Sequence, residues 1–407
     1  MASYNTLLLS VLLALLAGLA VGKAWERYKL RDGRWIDRRR SRETPHYILG
    51  LNFLVSNQID LAIEELTRAA SLDDDALVIH MILGNLHREK GQVGRAITIH
   101  QSLLRRPKLK KLEHAHVLLC LGLDYKRGGF VDRALEAFNE VLRLDPKNVY
   151  ALLNLEKLFE DQHQWQEAYD VRLRLTRLQG LDEQARNQAI LAFLENELGL
   201  HALKRMDYVA AAQRFQAAID LDPRAVPAYL NLGDVKFFEG HAAQAATVWE
   251  KLIQLAPERA YLTFERLESA DKTNGSNRFP ELCRRLIAAN PQEWRARLAL
   301  ARHLASRGLA FDGLELLFEA LGNNPHALVI HQAIWRALSE LDLPRHLVQR
   351  YVDLTRDAVF YLDPHICLRC RYRSTELLWQ CPHCHEWNTF VEERIAPAKD
   401  GVEELRT

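Results

Sequence analysis

Two hydrophobic patterns divide this chain. The first is an apolar run from Leu7 to Val21, broken only by Ser10 and Gly18. With Tyr4 before it and Trp25 after it, about 20 residues could cross ~30 Å as a helix. The second begins near Tyr47. From there helix-forming residues dominate and strand-like alternation is hard to find.

Prolines reveal the period of the second pattern. Pro223, Pro257, Pro291 and Pro325 follow one another at intervals of 34 residues, the length of the tetratricopeptide helix–turn–helix unit. The small residues agree. Gly50 and Ala62 lie twelve apart, as do Gly84 and Ala96, Gly122 and Ala134, Gly199 and Ala211, and Gly233 and Ala245. Small residues at both places let the two helices of a hairpin approach closely. In the third unit Leu121, Gly122, Tyr125, Ala134, Phe138 and Pro146 occupy the positions the pattern expects. Pro146 ends its helix because it has no N–H to donate. The fourth unit keeps Leu155, Phe159 and Ala168, and the seventh and eighth keep their prolines but lose the glycine. A ninth, Leu328 to Thr355, is degenerate. Extra residues fall at 105–112 (four) and 179–187 (nine), where longer helices or loops are expected. Eight or nine such units, stacked, make one elongated core and a curved groove.

The charge pattern gives the apolar run a direction. Residues 23–42 carry a net charge of +6 in a chain of net +1. A cleaved secretory signal has its positive charge before the run, not after it. The positive-inside rule therefore predicts an uncleaved anchor with the long remainder in the cytoplasm. A cleaved signal or a buried hairpin helix are the alternatives. The basic stretch fits a membrane surface better than nucleic acid, since little else in the chain is strongly basic.

Near the C-terminus stand Cys367, Cys370, Cys381 and Cys384, two Cys-x-x-Cys pairs ten residues apart. Two such knuckles complete a tetrahedral shell of four thiolates around one metal ion, zinc or iron. A closed shell has no open position for substrate, which argues for a structural metal. Two disulfides are the alternative, and a reducing cytoplasm disfavours them. Cys120 and Cys283 are isolated and read as small buried side chains. Asp363 and Pro364 separate the metal segment from the helices. Tyr372, Leu377, Leu378, Trp379, Trp387 and Phe390 flank the cysteines, and so small a domain needs both metal and docking against the last helical units.

No Gly-rich phosphate loop, Gly-x-Ser-x-Gly elbow or His-Glu-x-x-His helix is present, so an enzyme is not expected. Gly128–Gly129 reads as an interhelical turn. His80, His87, His100, His114 and His116 are scattered over different units and read as packing or surface residues. First helices of such units line the concave face. Asn85, Arg88, Lys126, Arg127, Asn231 and Asp234 are therefore the candidates for partner contact, against ordinary solvation of a polar helix face.

Several segments resemble the lipopolysaccharide assembly protein B family. They are 50–58, the stretch Leu83-Gly84-Asn85-Leu86 leading to Ile99-His100-Gln101, and Leu378-Trp379-Gln380-Cys381-Pro382-His383-Cys384 followed by Trp387. Arg371 and His385 depart from the glycine that rubredoxin-type knuckles often carry after each Cys pair. The resemblance implies an all-α tetratricopeptide-repeat superhelix with an N-terminal transmembrane helix and a small rubredoxin-like four-cysteine domain. The expected layout is an anchor at 1–24, a basic linker at 25–44, the array at 45–360, the metal domain at 363–391 and a charged tail at 392–407. It further implies an adaptor at the cytoplasmic face of the inner membrane. Its partners would be a membrane AAA protease, the deacetylase that commits lipid A synthesis, and other lipopolysaccharide assembly proteins. An iron redox protein on a repeat scaffold and an envelope-side assembly scaffold are the competing readings. The sequence does not fix whether the chain dimerises.

Overall fold

A computed structural model describes residues 45–72, 76–107, 109–180, 183–340, 344–355 and 365–393, together with Gly18 and Lys23. Apart from Gly18 and Lys23, the expected anchor, the basic linker and the tail beyond Glu393 lie outside the described residues. Among those described, no helix is long and apolar enough to cross a membrane.

Eighteen α-helices follow one another in nine consecutive pairs among the described residues. They are α1 (Pro45–Val55) and α2 (Ile59–Leu72), α3 (Leu77–Glu89) and α4 (Val93–Leu104), α5 (Lys111–Arg127) and α6 (Val131–Leu144). Next come α7 (Val149–Asp161) and α8 (Trp165–Leu178), α9 (Gln184–Lys204) and α10 (Tyr208–Leu221), α11 (Val226–Phe238) and α12 (Ala242–Leu255). The last are α13 (Phe264–Asn274) and α14 (Arg278–Ala289), α15 (Trp294–Ser306) and α16 (Ala310–Asn323), and α17 (Leu328–Glu340) and α18 (Arg345–Thr355). A 3-10 stretch, Pro257–Thr263, precedes α13. The extra residues lengthen first helices: α5 has 17 residues and α9 has 21, against 13 in α3. The chain divides at Leu158 and Phe159 into two compact units.

The glycine rule has a steric cause. Each glycine faces the side chain sixteen residues later, on the second helix of its pair. A Cβ on Gly50 would lie 2.6 Å from Leu66, on Gly122 2.6 Å from Phe138, on Gly199 2.5 Å from Phe215 and on Gly233 2.1 Å from Trp249. In the eighth pair the close approach has changed helix. Gly313 of α16 packs against the backbone of Ala301, which is why the glycine is missing from α15.

The turn inside each of the first eight pairs holds one left-handed residue. Glycine supplies it at Gly91, Gly129, Gly240, Gly275 and Gly308, whereas Asn57, His163 and Met206 adopt it with a side chain. Gly128–Gly129 is such a turn, as the sequence suggested.

The C-terminal segment is a three-stranded antiparallel sheet in the order β2-β1-β3. Its strands are β1 (His365–Cys367), β2 (Arg373–Ser374) and β3 (Phe390–Glu392). His365 pairs with Ser374 on one side and Glu392 on the other.

Candidate metal centre

The two knuckles are built alike. The N–H of Arg371 donates to the Cys367 carbonyl at 2.9 Å, and that of His385 to the Cys381 carbonyl at 2.8 Å. The N–H of Cys367 donates to Tyr372 O, and that of Cys381 to Glu386 O, each at 2.9 Å. Arg371 and His385, the two residues that replace the expected glycine, hold left-handed φ of 64° and 58°. The backbone keeps the knuckle geometry and accepts the steric cost of a side chain there.

These turns bring the four sulfurs within 4.8 Å of one another. The Cys367–Cys384 pair is at 3.7 Å and the Cys370–Cys381 pair at 3.6 Å. A tetrahedral ion with metal–sulfur bonds of ~2.3 Å sets its sulfurs about 3.8 Å apart, so the donor set fits one ion with four thiolates. Among the described residues no other group of His, Cys, Asp or Glu is placed to hold a metal, and of the scattered histidines His80, His87 and His100 have protein partners instead. His100 Nδ1 faces Asp124, and His87 Nδ1 faces Gln92 Oε1 at 2.7 Å.

The thiols differ in proton affinity. Burial pushes the Cys367 thiol up, but the Thr389 hydroxyl at 3.1 Å and the backbone N–H groups of Cys370 and Arg369 outweigh it, and the result is about 6. Burial raises Cys381. Cys384 is pushed up to about 12, by burial first and then by the neighbouring sulfurs. Four thiolates held this close need a cation, and binding it releases protons. Cys120 and Cys283 are buried away from this centre, and burial pushes Cys283 up to about 12.

The metal domain is fastened to helices of the second unit at several points. The Trp387 ring stacks on Phe193 of α9 at 5.2 Å and 15°, and meets the edge of Trp165 of α8. Both Trp387 Nε1 and Gln380 Nε2 donate to the buried carboxylate of Glu160, at 3.3 and 2.8 Å. His385 Nδ1 lies 3.1 Å from Asp161. Arg186 pairs with Glu386 at 2.8 Å. Arg259 donates to the Phe390 carbonyl at 3.1 Å while lying over Trp379, and Arg295 pairs with Glu392. The docking site is wider than the expected last units. Besides the seventh and eighth pairs, the domain rests on the fourth and fifth, because Glu160 and the Phe193–Trp165 slot supply acceptors and an aromatic seat.

The candidate groove residues have a different fate. Arg88 donates to Asp124 Oδ1 at 2.8 Å, across 36 residues. Asp234 is held by both Nε and one terminal nitrogen of Arg266, at 2.7 and 2.9 Å. Asn231 donates to Asn196 at 2.8 Å, and Lys126 to Asn154 at 3.4 Å. These side chains tie one pair to the next. Asn85 is half-buried, its Oδ1 without a hydrogen-bond donor among the described residues. Arg127 is exposed.

Tetratricopeptide-type hairpins followed by a four-cysteine metal-site domain define the class of this chain. Residues 120–175 match the tetratricopeptide repeat family, and 365–392 match the family described as rubredoxin metal binding domain. The chain resembles lipopolysaccharide assembly protein B over most of its length. It is 28% identical to that protein from Escherichia coli K12 over 347 residues, 84% of this chain and 88% of the relative. The Haemophilus influenzae protein of the same name is 24% identical over 396 residues, 93% of this chain and 97% of the relative. A solved tetratricopeptide repeat protein from Parabacteroides merdae aligns with 76% of this chain and 96% of its own at 15% identity and a TM-score of 0.34.

Proposed function

We propose that this protein is a non-catalytic adaptor that regulates lipopolysaccharide biosynthesis from the cytoplasmic face of the inner membrane. The observation that carries this reading is its likeness to lipopolysaccharide assembly protein B across 84% of the chain. In this reading the apolar run at 7–21 is a single-pass anchor, and the hairpins present partner surfaces. Cys367, Cys370, Cys381 and Cys384 hold one structural ion. The partners are the deacetylase that commits lipid A synthesis and a membrane AAA protease, alongside other lipopolysaccharide assembly proteins. Holding substrate and protease on one scaffold raises their effective concentration without new chemistry. The closed sulfur shell supports a structural ion over a catalytic one.

Depletion of the protein is expected to raise the level and lengthen the half-life of the deacetylase. An unchanged half-life sinks the delivery mechanism. Metal analysis and a visible spectrum of the purified protein separate a zinc clamp, which is colourless, from an iron centre that could carry electrons.

A further inference from the structure

The two ends of the hairpin array are finished differently. The last helix, α18, exposes Arg345, His346, Gln349 and Arg350 beside two valines. The first helix, α1, has no charged residue except for His46, whose Nδ1 meets Glu65 at 2.7 Å. It buries only Gly50 and shows Ile48, Leu49 and Val55 outward, 51%, 43% and 88% exposed. Terminal units of a repeat array need a polar outer face to stay in water. On this face Ile48 and Val55 are two turns apart on one stripe, with Asn52 between them.

What precedes α1 identifies the occupant. Only 23 residues separate Val21, the end of the apolar run, from Pro45. Even fully extended they reach at most ~80 Å. Four arginines, Arg38, Arg39, Arg40 and Arg42, stand just before the helix in a stretch of net +6. Basic side chains beside an uncharged apolar helix face are the composition of a segment lying in an anionic lipid interface, its apolar side sunk about 5–10 Å. We propose that the outer face of α1 lies in the headgroup region of an anionic bilayer, which fixes how the first hairpin is presented to partners. This proposal rests on the anchor reading.

The test uses the full chain in vesicles of phosphatidylethanolamine and phosphatidylglycerol, with a photoreactive diazirine residue replacing Val55. That side chain is almost wholly exposed, so the hairpin keeps its packing. After flotation and illumination, mass spectrometry of the product is expected to find lipid adducts in at least threefold excess over peptide adducts. Introducing Ile48→Lys in the same chain should reverse that ratio. Flotation with adducts mainly to residues 24–44, or to a second copy, overturns the proposal and leaves the anchor standing. A chain that stays in the aqueous fraction overturns both.

Discussion

In the sixth helix pair, Trp249 of α12 is buried over Gly233 of α11 and donates its indole N–H to the Leu230 carbonyl at 3.1 Å. Around it runs an apolar core that extends from Ala192 to Leu300. In the metal domain the buried set is Ile366, Cys367, Cys381 and Phe390. One region is held by the volume of interlocking side chains. The other has almost no core of its own and depends on an ion inside and on helices outside. The two should therefore fail under different insults.

Metal loss is the largest expected effect. Structural zinc supplies ~10–16 kcal/mol of apparent binding energy in small zinc peptides at neutral pH, and that energy is folding energy. Replacing Cys381→Ser together with Cys384→Ser should unfold 365–393 while the helices stay folded. Far-ultraviolet circular dichroism is expected to be nearly unchanged, since the domain contains no helix, while hydrogen exchange of its strands becomes fast. A parallel collapse of the helical signal would show that the array leans on the domain, and the contrast would be lost. Regulation should fail in the same variant.

Gly233→Val attacks the other region. The new side chain would begin 2.1 Å from the Trp249 indole nitrogen, and overpacking of this kind costs about 3 kcal/mol. Urea unfolding should shift to lower midpoint with the metal retained. An unshifted midpoint would mean that the pair opens freely, contrary to interlocked packing.

What the sequence made legible follows from these same mechanics. Steric rules repeat, so the period of 34 and the Gly–Ala spacing were visible. Metal ligands sit close together in sequence, so the cysteines were visible too. Docking does not repeat and is not local. Glu160 meets Gln380 across 220 residues, and Phe193 meets Trp387 with no pattern to announce it. The inter-pair bonds of the groove candidates were hidden for a related reason. Polar residues on first helices look like partner contacts until a complementary charge about one repeat later is noticed, as with Arg88 and Asp124 or Asp234 and Arg266.

Glu160→Ala tests the seam between the two regions. It leaves the indole N–H of Trp387 and the amide of Gln380 without this buried acceptor. Each unsatisfied donor costs ~1–3 kcal/mol. The domain should keep its metal yet exchange amides faster at Gln380 and Trp387, with the helical melting temperature shifting little. Metal loss in this variant would make docking a condition of metal binding rather than its consequence.

The smallest effect separates the two knuckles. Arg371 and His385 both hold left-handed backbone, which costs a side-chain-bearing residue roughly 1–2 kcal/mol. Glycine relieves that cost but gives back ~0.5–1 kcal/mol through its greater unfolded freedom. Arg371→Gly should thus stabilise the domain by a net of about 0.5–1 kcal/mol. His385→Gly obtains the same relief yet loses the imidazole facing Asp161 at 3.1 Å, so its net effect should be near zero. Competition with a chelator measures both. If the two variants gain equally, the second knuckle owes nothing to its contact with α7, and the metal domain is more self-contained than its seam with the helices implies.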